Sequence, residues 1–524
     1  MYSSLQPFSN QTGSRNRTRN RADVLHSITS NGFPYSRRLS AHTSCVNALT
    51  FSSGNSRFLA SGGDDHRIHL WDFHQEDLKT PAMTMVGIRG IILTLAFSAT
   101  NQYLYSGGTD SVIYQYDSSH MDAPISAIGN LSPKQSFREH REHVRAITCH
   151  PFQDQIFMSA SEDGTIRRYD SRSSNRAARA QDTMQLMSEV TGVQYHPIMD
   201  NIFVTSDNKG QVCLRDERMA FGPLTQRSGQ GVVQLYNTKL TKQSIGHLSN
   251  PESSSVVFDR EGKKIAVTML NYLPTIYALS DPNPVAICSG RNLPDGSPNP
   301  PGERTYSNSC TMKHGTFGGP GLDTDEYYVA GSDDFRGYIW KIPPLSELIE
   351  RREELTADNW LTHDFRQTIA FTQSLEGNKF VPVELPTPAC RLTGHMSIVN
   401  TAIFHSSYLH VVTSGIEKDI ILHSPTPSSP CTQDLSLSPS VRRLGENATE
   451  DRVAYLQALT TSRPDTLTRD DEAEQTTLSM FDHILRQEGE ADVFLVRKWR
   501  DSSAPDSDDS ADDDSSDSSD TTSL

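Results

Sequence analysis

The feature that most constrains this 524-residue chain is a unit that recurs along it. In each copy an apolar run is followed by a Ser, Gly or Asp turn and then by a run of alternating apolar and polar residues, which is the pattern of a β-hairpin. Such units bury their apolar faces only by stacking on one another. Six clear copies and one weaker copy (265–279) are LASGGDDHRIHLWD (59–72), LYSGGTDSVIYQYD (104–117), FMSASEDGTIRRYD (157–170), FVTSDNKGQVCLRD (203–216), YVAGSDDFRGYIW (328–340), VVTSGIEKDIILHS (411–424) and IAVTMLNYLPTIYAL.

Three of these units are preceded by a histidine that stands four residues before a valine. The histidines are His42, His140 and His395, and strands of the form VNALTF, VRAITC and VNTAIF follow them. This pattern resembles WD40 repeats, which have four strands per unit. Seven units then imply an all-β fold, a seven-bladed WD40 β-propeller that closes radially and leaves only short sheet edges exposed. We place it at residues 37–425, with insertions at about 292–303 and 344–387.

The WD40 resemblance also implies hydrogen-bonded tetrads that tie together the strands of a blade. These sets could be mistaken for catalytic triads, but they recur in blade register and would be buried away from any substrate. We therefore expect a structural role for them. The tetrad of the first blade would be His42, Ser61, Asp65 and Trp71, and that of the third would be His140, Ser159, Asp163 and Tyr169. Arg215 and His423 stand where other units have an aromatic residue.

No motif in the chain points to catalysis, to a cofactor or to a metal. His140, His143, Cys149 and His150 resemble a metal cluster, but His150-Pro151 and His196-Pro197 occupy the same place in successive repeats. Metal ligands have no reason to follow blade register. Glycine-rich GTFGGPG (315–321) lacks the lysine of a phosphate loop, and we interpret it as a turn. We expect a protein that is not an enzyme and has no cofactor.

The two ends of the chain differ in charge from its middle. The last 24 residues hold nine aspartates and no basic residue, whereas the first 38 hold six arginines and one acid. We predict a basic, mostly disordered arm at 1–36 that contains a short helix, and a disordered acidic Ser/Asp-rich tail at 501–524. The arm lacks interleaved aromatic residues, so we expect no direct contact with nucleic acid. Without an apolar run of about 18 residues we expect no membrane span either.

Between the propeller and the acidic tail we predict a linker at 426–468 and an amphipathic helical segment at 469–500. Leu478, Phe481 and Leu485 have the spacing of one helix face, which would pack on the propeller or bind a partner. The seven cysteines are scattered and form no CxxC pair. A reducing compartment fits this usage, and we expect a nuclear or cytoplasmic protein.

Two successive units end in the same way, with Asp170-Ser171-Arg172 and Asp216-Glu217-Arg218. The bare triplet Asp-x-Arg also occurs inside two hairpin turns, at Asp65-His66-Arg67 and Asp334-Phe335-Arg336. At the end of a unit the arginine would project from one face of the propeller. Two adjacent guanidinium groups could then make forked, charge-assisted hydrogen bonds to a partner. The alternative is that each arginine pairs with an acid of its own blade.

Paired boxes of this kind mark the cullin-4-associated factors, which are WD40 substrate receptors of cullin-4 RING ubiquitin ligases. The chain resembles this family from about 37 to 425, including CVNALTFSSG (45–54), GSDDFRGYIWKIP (331–343) and SGIEKDIILHSP (414–425). The resemblance implies a non-catalytic receptor that binds protein substrates. It would dock on the damaged-DNA-binding adaptor of the cullin-4 complex through Asp170, Arg172, Asp216 and Arg218, and residues 22–29 would insert into that adaptor.

Two other functions are compatible with the same fold, because a propeller by itself indicates only a binding platform. The first is a WD40 scaffold in a chromatin or other multiprotein assembly that has no ligase associated with it. The second is a propeller enzyme or a methyl-lysine reader. A reader needs an aromatic cage near the central channel, and the sequence does not place one.

Overall fold

The recurring unit is a four-stranded antiparallel sheet in the computed structural model, which describes residues 23–119, 130–172, 180–319, 324–362, 366–444, 448–460, 470–489 and 492–494. The arginines at 15–21 and the acidic tail at 501–524 lie outside these residues. The first strands in chain order are β1 (Tyr35–Ser40), β2 (Val46–Phe51), β3 (Phe58–Gly63), β4 (Ile68–Asp72), β5 (Met83–Met85), β6 (Ile92–Phe97), β7 (Tyr103–Gly108), β8 (Ile113–Asp117), β9 (Gln135–Phe137), β10 (Val144–Cys149), β11 (Ile156–Ser161), β12 (Thr165–Asp170), β13 (Thr183–Gln185), β14 (Val190–Tyr195), β15 (Ile202–Asp207), β16 (Val212–Asp216) and β17 (Val232–Tyr236).

The second half of the chain continues the pattern with longer connections. Its strands are β18 (Leu240–Lys242), β19 (Ser253–Phe258), β20 (Lys264–Met269), β21 (Thr275–Ala278), β22 (Pro284–Cys288), β23 (Thr316–Gly318), β24 (Tyr327–Gly331), β25 (Gly337–Lys341), β26 (Glu353–Leu355), β27 (Ile369–Phe371), β28 (Lys379–Val381), β29 (Val383–Leu385), β30 (Cys390–Leu392), β31 (Val399–Phe404), β32 (Val411–Gly415), β33 (Asp419–Ser424) and β34 (Ser436–Leu437). The helices are α1 (residues 23–31), α2 (Glu217–Ala220), α3 (Leu345–Arg351), α4 (Ala357–Thr362), α5 (Ala448–Thr460) and α6 (Asp470–Glu488).

The described residues form eight sheets, and seven of them make a ring. The innermost strands are β2, β6, β10, β14, β19, β23 and β31. Each of them contacts the next, and β31 contacts β2. Together they line one central cavity of about 360 Å³. The all-β WD40 propeller predicted from the repeats is therefore confirmed.

The ring closes through hydrogen bonds between the first described strand and the last hairpin. β1 pairs antiparallel with β33 in the register Leu39↔Ile420, so residues from both ends of the propeller share the seventh blade. Leu39 and Leu422 are fully buried in the same apolar cluster as Trp71 of the first blade. This cluster makes the junction between the last and first blades part of the core.

The insertion predicted at 344–387 has a structure of its own. It begins with α3, in which Leu348 is buried. Strands β26, β27 and β28 then join β18 in the eighth sheet, and β29 adds a parallel fifth strand to β22 of the fifth blade. The insertion thus adds a strand at the edge of the fifth blade and supplies three strands of the eighth sheet.

Two sequence interpretations need correction. The glycine-rich run at 315–321 is not simply a turn, since Thr316–Gly318 is the inner strand β23 of the sixth blade. A Cβ at Gly318 would lie 2.3 Å from the ring of Phe404, so only glycine fits there. The interval 426–468 is not simply a linker, because β34 pairs with β1 and α5 lies within it. Its Ser/Pro-rich composition conceals the buried Cys431.

Histidines end the inner strands of three blades and accept hydrogen bonds from the turn that follows. His405 Nδ1, for example, accepts from the amides of Ser407 (3.1 Å) and Tyr408 (2.9 Å). His150 and His196 use Nδ1 in the same way. A nitrogen that accepts from an amide is unprotonated, and burial lowers the pKa of all three rings. Each neutral imidazole caps the turn after its inner strand, which explains why these histidines recur at the same position in the three blades.

We predict that the free energy of unfolding decreases as the pH is lowered from about 6.5 to about 4. Burial lowers the pKa of His405 to about 3 and that of His410 to about 4, from an ordinary value of 6.5. In this pH window the two imidazole rings bind protons in the unfolded chain but remain neutral in the folded chain. Each such group therefore lowers stability by at most ~1.4 kcal/mol per pH unit as the pH falls. Urea unfolding at a series of pH values measures this slope.

The control is His405→Asn, whose side-chain oxygen accepts the same amide hydrogen bonds without titrating. Its stability should depend less steeply on pH than that of the wild type. Identical slopes for the two proteins would contradict the assignment of His405 as a neutral turn cap.

Candidate docking site

An aspartate ends the third strand of each of the first four blades. In every case it pairs with the first residue of the second strand, in the registers Phe58↔Asp72, Tyr103↔Asp117, Ile156↔Asp170 and Ile202↔Asp216. This shared register brings the four carboxylates to one end of the ring, which we call the lower face. The tight turns between second and third strands lie at the other end, the upper face.

The two predicted boxes have the same geometry. Arg172 donates from Nε and Nη2 to the two carboxylate oxygens of Asp170 at 2.9 and 2.7 Å, and Arg218 does so to Asp216 at 3.0 and 2.6 Å. The hydrogen bonds from Arg172 and Arg218 lower the pKa of Asp170 and Asp216 respectively. In each blade the backbone amide of the arginine also donates to the aspartate.

Each arginine therefore pairs with an acid of its own blade, but the pairing does not bury it. The side chain of Arg172 is 58% exposed and that of Arg218 is 71% exposed. Asp216 is mostly buried and caps the N-terminus of α2 by accepting from the Arg218 amide. The aspartates thus hold two guanidinium groups in fixed positions, on adjacent blades, while the groups remain in contact with solvent.

The first and second blades carry comparable ion pairs that the sequence did not reveal. Arg57 donates to Asp72 at 3.1 Å from Nε and from Nη2, and Lys134 lies 2.7 Å from Asp117. Although burial opposes it, the hydrogen bond from Lys134 lowers the pKa of Asp117 to about 2. These cations come from loops 15 residues before and 17 residues after the aspartate, so no local motif marks them.

Exposed apolar side chains occupy the lower loops of the third and fourth blades. Isolated surface residues of this kind are common, but here they accompany the two exposed arginines. Arginine together with large apolar residues is the composition of protein-binding surfaces. The apolar residues are Phe152, Ile198, Met199, Met219 and Leu224. We call these five residues and the two box arginines the box surface.

The tetrad residues of the first blade lie together. His42 bonds through Nδ1 to Asp65 (2.8 Å) and through Nε2 to the Ser61 hydroxyl (2.9 Å). Trp71 Nε1 donates to the same hydroxyl at 3.0 Å. The four side chains are almost completely buried, and their hydrogen bonds connect the strands of the blade.

In the third blade His140 contacts Asp163 at 3.0 Å and Ser159 at 2.6 Å. The hydrogen bond from His140 helps to lower the pKa of Asp163 despite the opposing effect of burial. The ring of Tyr169 stacks on Phe157, with ring centroids 4.6 Å apart. Tyr169 thus contributes to this blade by packing.

The seventh blade contains a hydrogen-bonded tetrad that the sequence analysis did not identify. His395 bonds to Glu417 (3.0 Å) and to Thr413 (2.7 Å), and His423 bonds to the same threonine hydroxyl at 2.8 Å. Glutamate, threonine and histidine replace the usual aspartate, serine and aromatic residue.

In the fourth blade the buried Arg215 donates to Thr205 at 2.9 Å, in place of an aromatic tetrad member.

Histidines in the groups that resemble metal sites form hydrogen bonds or ion pairs with other side chains of the fold. His42, Asp65 and His69 are the set with metal-ligand spacing in the part of the chain that the structure describes. Both ring nitrogens of His42 are already bonded within the tetrad. His143 pairs with Glu162 at 2.9 Å. Over the same described ranges, no helix is both long and apolar enough to cross a bilayer.

We predict that His42→Ala lowers the free energy of unfolding by about 3 kcal/mol at pH 7, because it leaves the buried Asp65 and Ser61 without their shared partner. Chemical denaturation checks this value. His66→Ala is the control, since His66 lies in the exposed turn of the same blade and should have little effect. A loss below about 1 kcal/mol for His42→Ala would contradict a structural tetrad.

Comparisons with known proteins support the repeat assignment. A family model described as "WD domain, G-beta repeat" matches residues 33–72, 79–117 and 131–170. DDB1- and CUL4-associated factor 5 from Mus musculus is 26% identical over 405 residues, which are 76% of this chain and 35% of that protein, and the Homo sapiens protein gives the same figures. Protein ALTERED SEED GERMINATION 2 from Arabidopsis thaliana is 28% identical over 152 residues, covering 29% of this chain and 20% of that relative.

The chain spans about a third of the length of the two factor 5 proteins. The segments quoted from the sequence resemble the fifth member of the cullin-4-associated factors in particular, and the comparisons confirm that likeness. Together with the ring of four-stranded sheets, these matches identify the chain as a WD40-repeat propeller protein similar to DDB1- and CUL4-associated factor 5.

Proposed function

We propose that this protein is a non-catalytic substrate receptor of a cullin-4 RING ubiquitin ligase in the nucleus or cytoplasm. It docks on the damaged-DNA-binding adaptor, DDB1, through the box surface and recruits proteins for ubiquitination. The observation that carries this proposal is the pair of exposed guanidinium groups of Arg172 and Arg218, which adjacent blades hold in the same geometry. The likeness to a protein named for association with DDB1 and CUL4 supports it.

The bidentate hydrogen bonds to each aspartate order the arginine side chain before it binds a partner. Nε and Nη2 face the carboxylate, so the opposite edge of the guanidinium can donate to an acceptor on the adaptor. A side chain that is already ordered loses little entropy when it binds. The apolar residues of the box surface would exclude water around these bonds and so strengthen them.

Helix α1 lies at the same end of the propeller. It packs through Leu25 against Tyr327, the first residue of the second strand of the sixth blade, a position that corresponds to the lower face. The adjacent Val24 is 60% exposed, so part of the helix surface remains in contact with solvent. We propose that α1 contacts the adaptor through this exposed surface while Leu25 keeps it on the propeller. Residue 22 of the predicted adaptor segment lies outside the described residues.

The receptor contributes proximity to the reaction. It holds a substrate protein near the conjugating enzyme that the ligase supplies, which raises the local concentration of substrate lysines. None of its own side chains takes part in the transfer of ubiquitin. Protein substrates and the adaptor are therefore the partners that this proposal assigns.

We predict that Arg172→Ala/Arg218→Ala weakens binding to purified DDB1 by about thirtyfold or more, because both charge-assisted contacts are lost at the centre of the interface. Biolayer interferometry measures the affinity. The thermal midpoint should not change, since both side chains are largely solvated. Arg67→Ala is the matched control, because Asp65-His66-Arg67 has the same triplet on the upper face.

Wild-type affinity in the double variant would refute docking through the boxes. If the wild-type protein itself does not bind DDB1, the scaffold function without a ligase is favoured instead.

We predict a smaller loss of affinity for Asp216→Asn than for Arg218→Ala. The asparagine keeps the shape of the aspartate but holds Arg218 less firmly, so binding must then order the arginine. Asp117→Asn in the second blade is the control and should bind DDB1 like the wild type. Tighter binding by Asp216→Asn would mean that the aspartate competes with the adaptor, contrary to the role proposed for it.

A further inference from the structure

Helix α6 lies on the upper face, opposite the box surface. Its Leu485 is buried against Cys45, Phe335, Ile398 and Ile416, and Phe481 packs against the same group. Phe335 and Ile416 belong to the upper turns of the sixth and seventh blades. Ile398 and Cys45 immediately precede the inner strands of the seventh and first blades. We call these four residues the upper-face seat.

Two cations flank the seat and pair with acids of α6. Arg442 donates from both terminal nitrogens to the carboxylate of Asp482 at 2.7 Å, and its Nε donates to the carbonyl of Met396. Lys418 lies 3.0 Å from Glu474. The seat therefore favours a helix that carries apolar residues on adjacent helical turns. Such a helix also needs acidic residues beside them to pair with the two cations.

Phe335 adopts a backbone conformation that does not suit its residue type. Its φ is +70°, whereas the corresponding turn residues of the first four blades are His66, Ser111, Gly164 and Gly210. A bulky residue in this left-handed region is strained, and such strain is concentrated at functional sites. The Phe335 side chain is only 1% exposed, and the Arg442 guanidinium lies 5.0 Å from its ring centroid. Phe335 is therefore explained by the apolar surface that it gives to the upper-face seat, and not by the conformation of its turn.

The propeller does not depend on α6 for closure. The ring is completed by β1 and β33, and α6 contributes no strand to any sheet. It is held by side-chain contacts with the upper face and with α5, where Arg486 pairs with Asp451 and the His483 ring contacts Tyr455. Its removal would therefore leave an apolar, positively flanked groove on an intact ring.

We propose that the upper-face seat is a binding site for an acidic amphipathic helix of a partner protein, and that α6 occupies this site in cis. The partner helix would carry apolar residues at positions equivalent to Phe481 and Leu485 and acids equivalent to Glu474 and Asp482. Charge complementarity with Lys418 and Arg442 determines this choice of partner. The inference concerns the upper face and holds whether or not the lower face docks on an adaptor.

The test uses the full chain and a fluorescein-labelled peptide of residues 470–488 as the probe. In the wild type the tethered α6 has a high effective concentration and competes with the peptide. Leu485→Asp in the chain frees the seat, and we expect the peptide to bind this variant at least about tenfold more tightly than the wild type. Fluorescence anisotropy measures both affinities, and higher salt should weaken the binding.

Controls separate the seat from general loosening of the fold. Leu456→Asp, on an exposed position of α5, should leave the seat occupied and peptide binding weak. A peptide that itself carries Leu485→Asp should not bind the freed seat. Phe335→Asn in the freed chain relieves the turn but should weaken peptide binding about tenfold or more, as for a buried interface anchor.

If the Leu485→Asp chain does not fold, Asp482→Asn replaces it, because this variant removes the ion pair without placing a charge in the apolar groove. The proposal is overturned if a folded, freed chain binds the peptide no better than the wild type. It is also overturned if Phe335→Asn has no effect on that binding.

Discussion

The antiparallel register between the second and third strands determines which residues reach each end of the propeller. It places the last residue of the third strand opposite the first residue of the second, so the aspartate of four successive blades arrives at the lower face. The turns between the same strands go to the upper face, where Phe335 and Ile416 contact α6. A shift of one residue would exchange buried and exposed side chains throughout a blade. Both surfaces therefore depend on this hydrogen-bonding pattern.

The same carboxylate position has different uses around the ring. In the first blade Asp72 holds Arg57, which is mostly covered, whereas in the fourth Asp216 holds Arg218, which is mostly exposed. The cation comes from a loop in the first two blades and from two residues further along the chain in the third and fourth. An ion pair at this exposure contributes little to stability. The difference between the blades therefore concerns recognition more than folding.

The sequence predicted the hairpins and located the boxes because each of these has a fixed local spacing, and the WD40 resemblance implied the tetrad of His42 and Trp71. It did not reveal contacts that bring distant segments together. The inner strand of the sixth blade has three residues and one essential glycine, too short for an alternating pattern. Nearby, Lys313 and Asp333 form a fully buried ion pair at 2.6 Å that no apolar pattern could indicate. Glu417 was missed because glutamate replaced aspartate in the tetrad.

The pairing of β1 with β33 has a consequence for synthesis. Arg38 and Asp419, which form an ion pair across this junction, are separated by 381 residues. At a translation rate of about 5–20 residues per second, β1 leaves the ribosome roughly 20–80 s before its partner exists. Throughout that time Leu39, which ends in the core, has no apolar partner from the seventh blade. Nascent chains of this protein must therefore carry an unpaired strand edge for most of their synthesis, which makes that edge a natural target for chaperones.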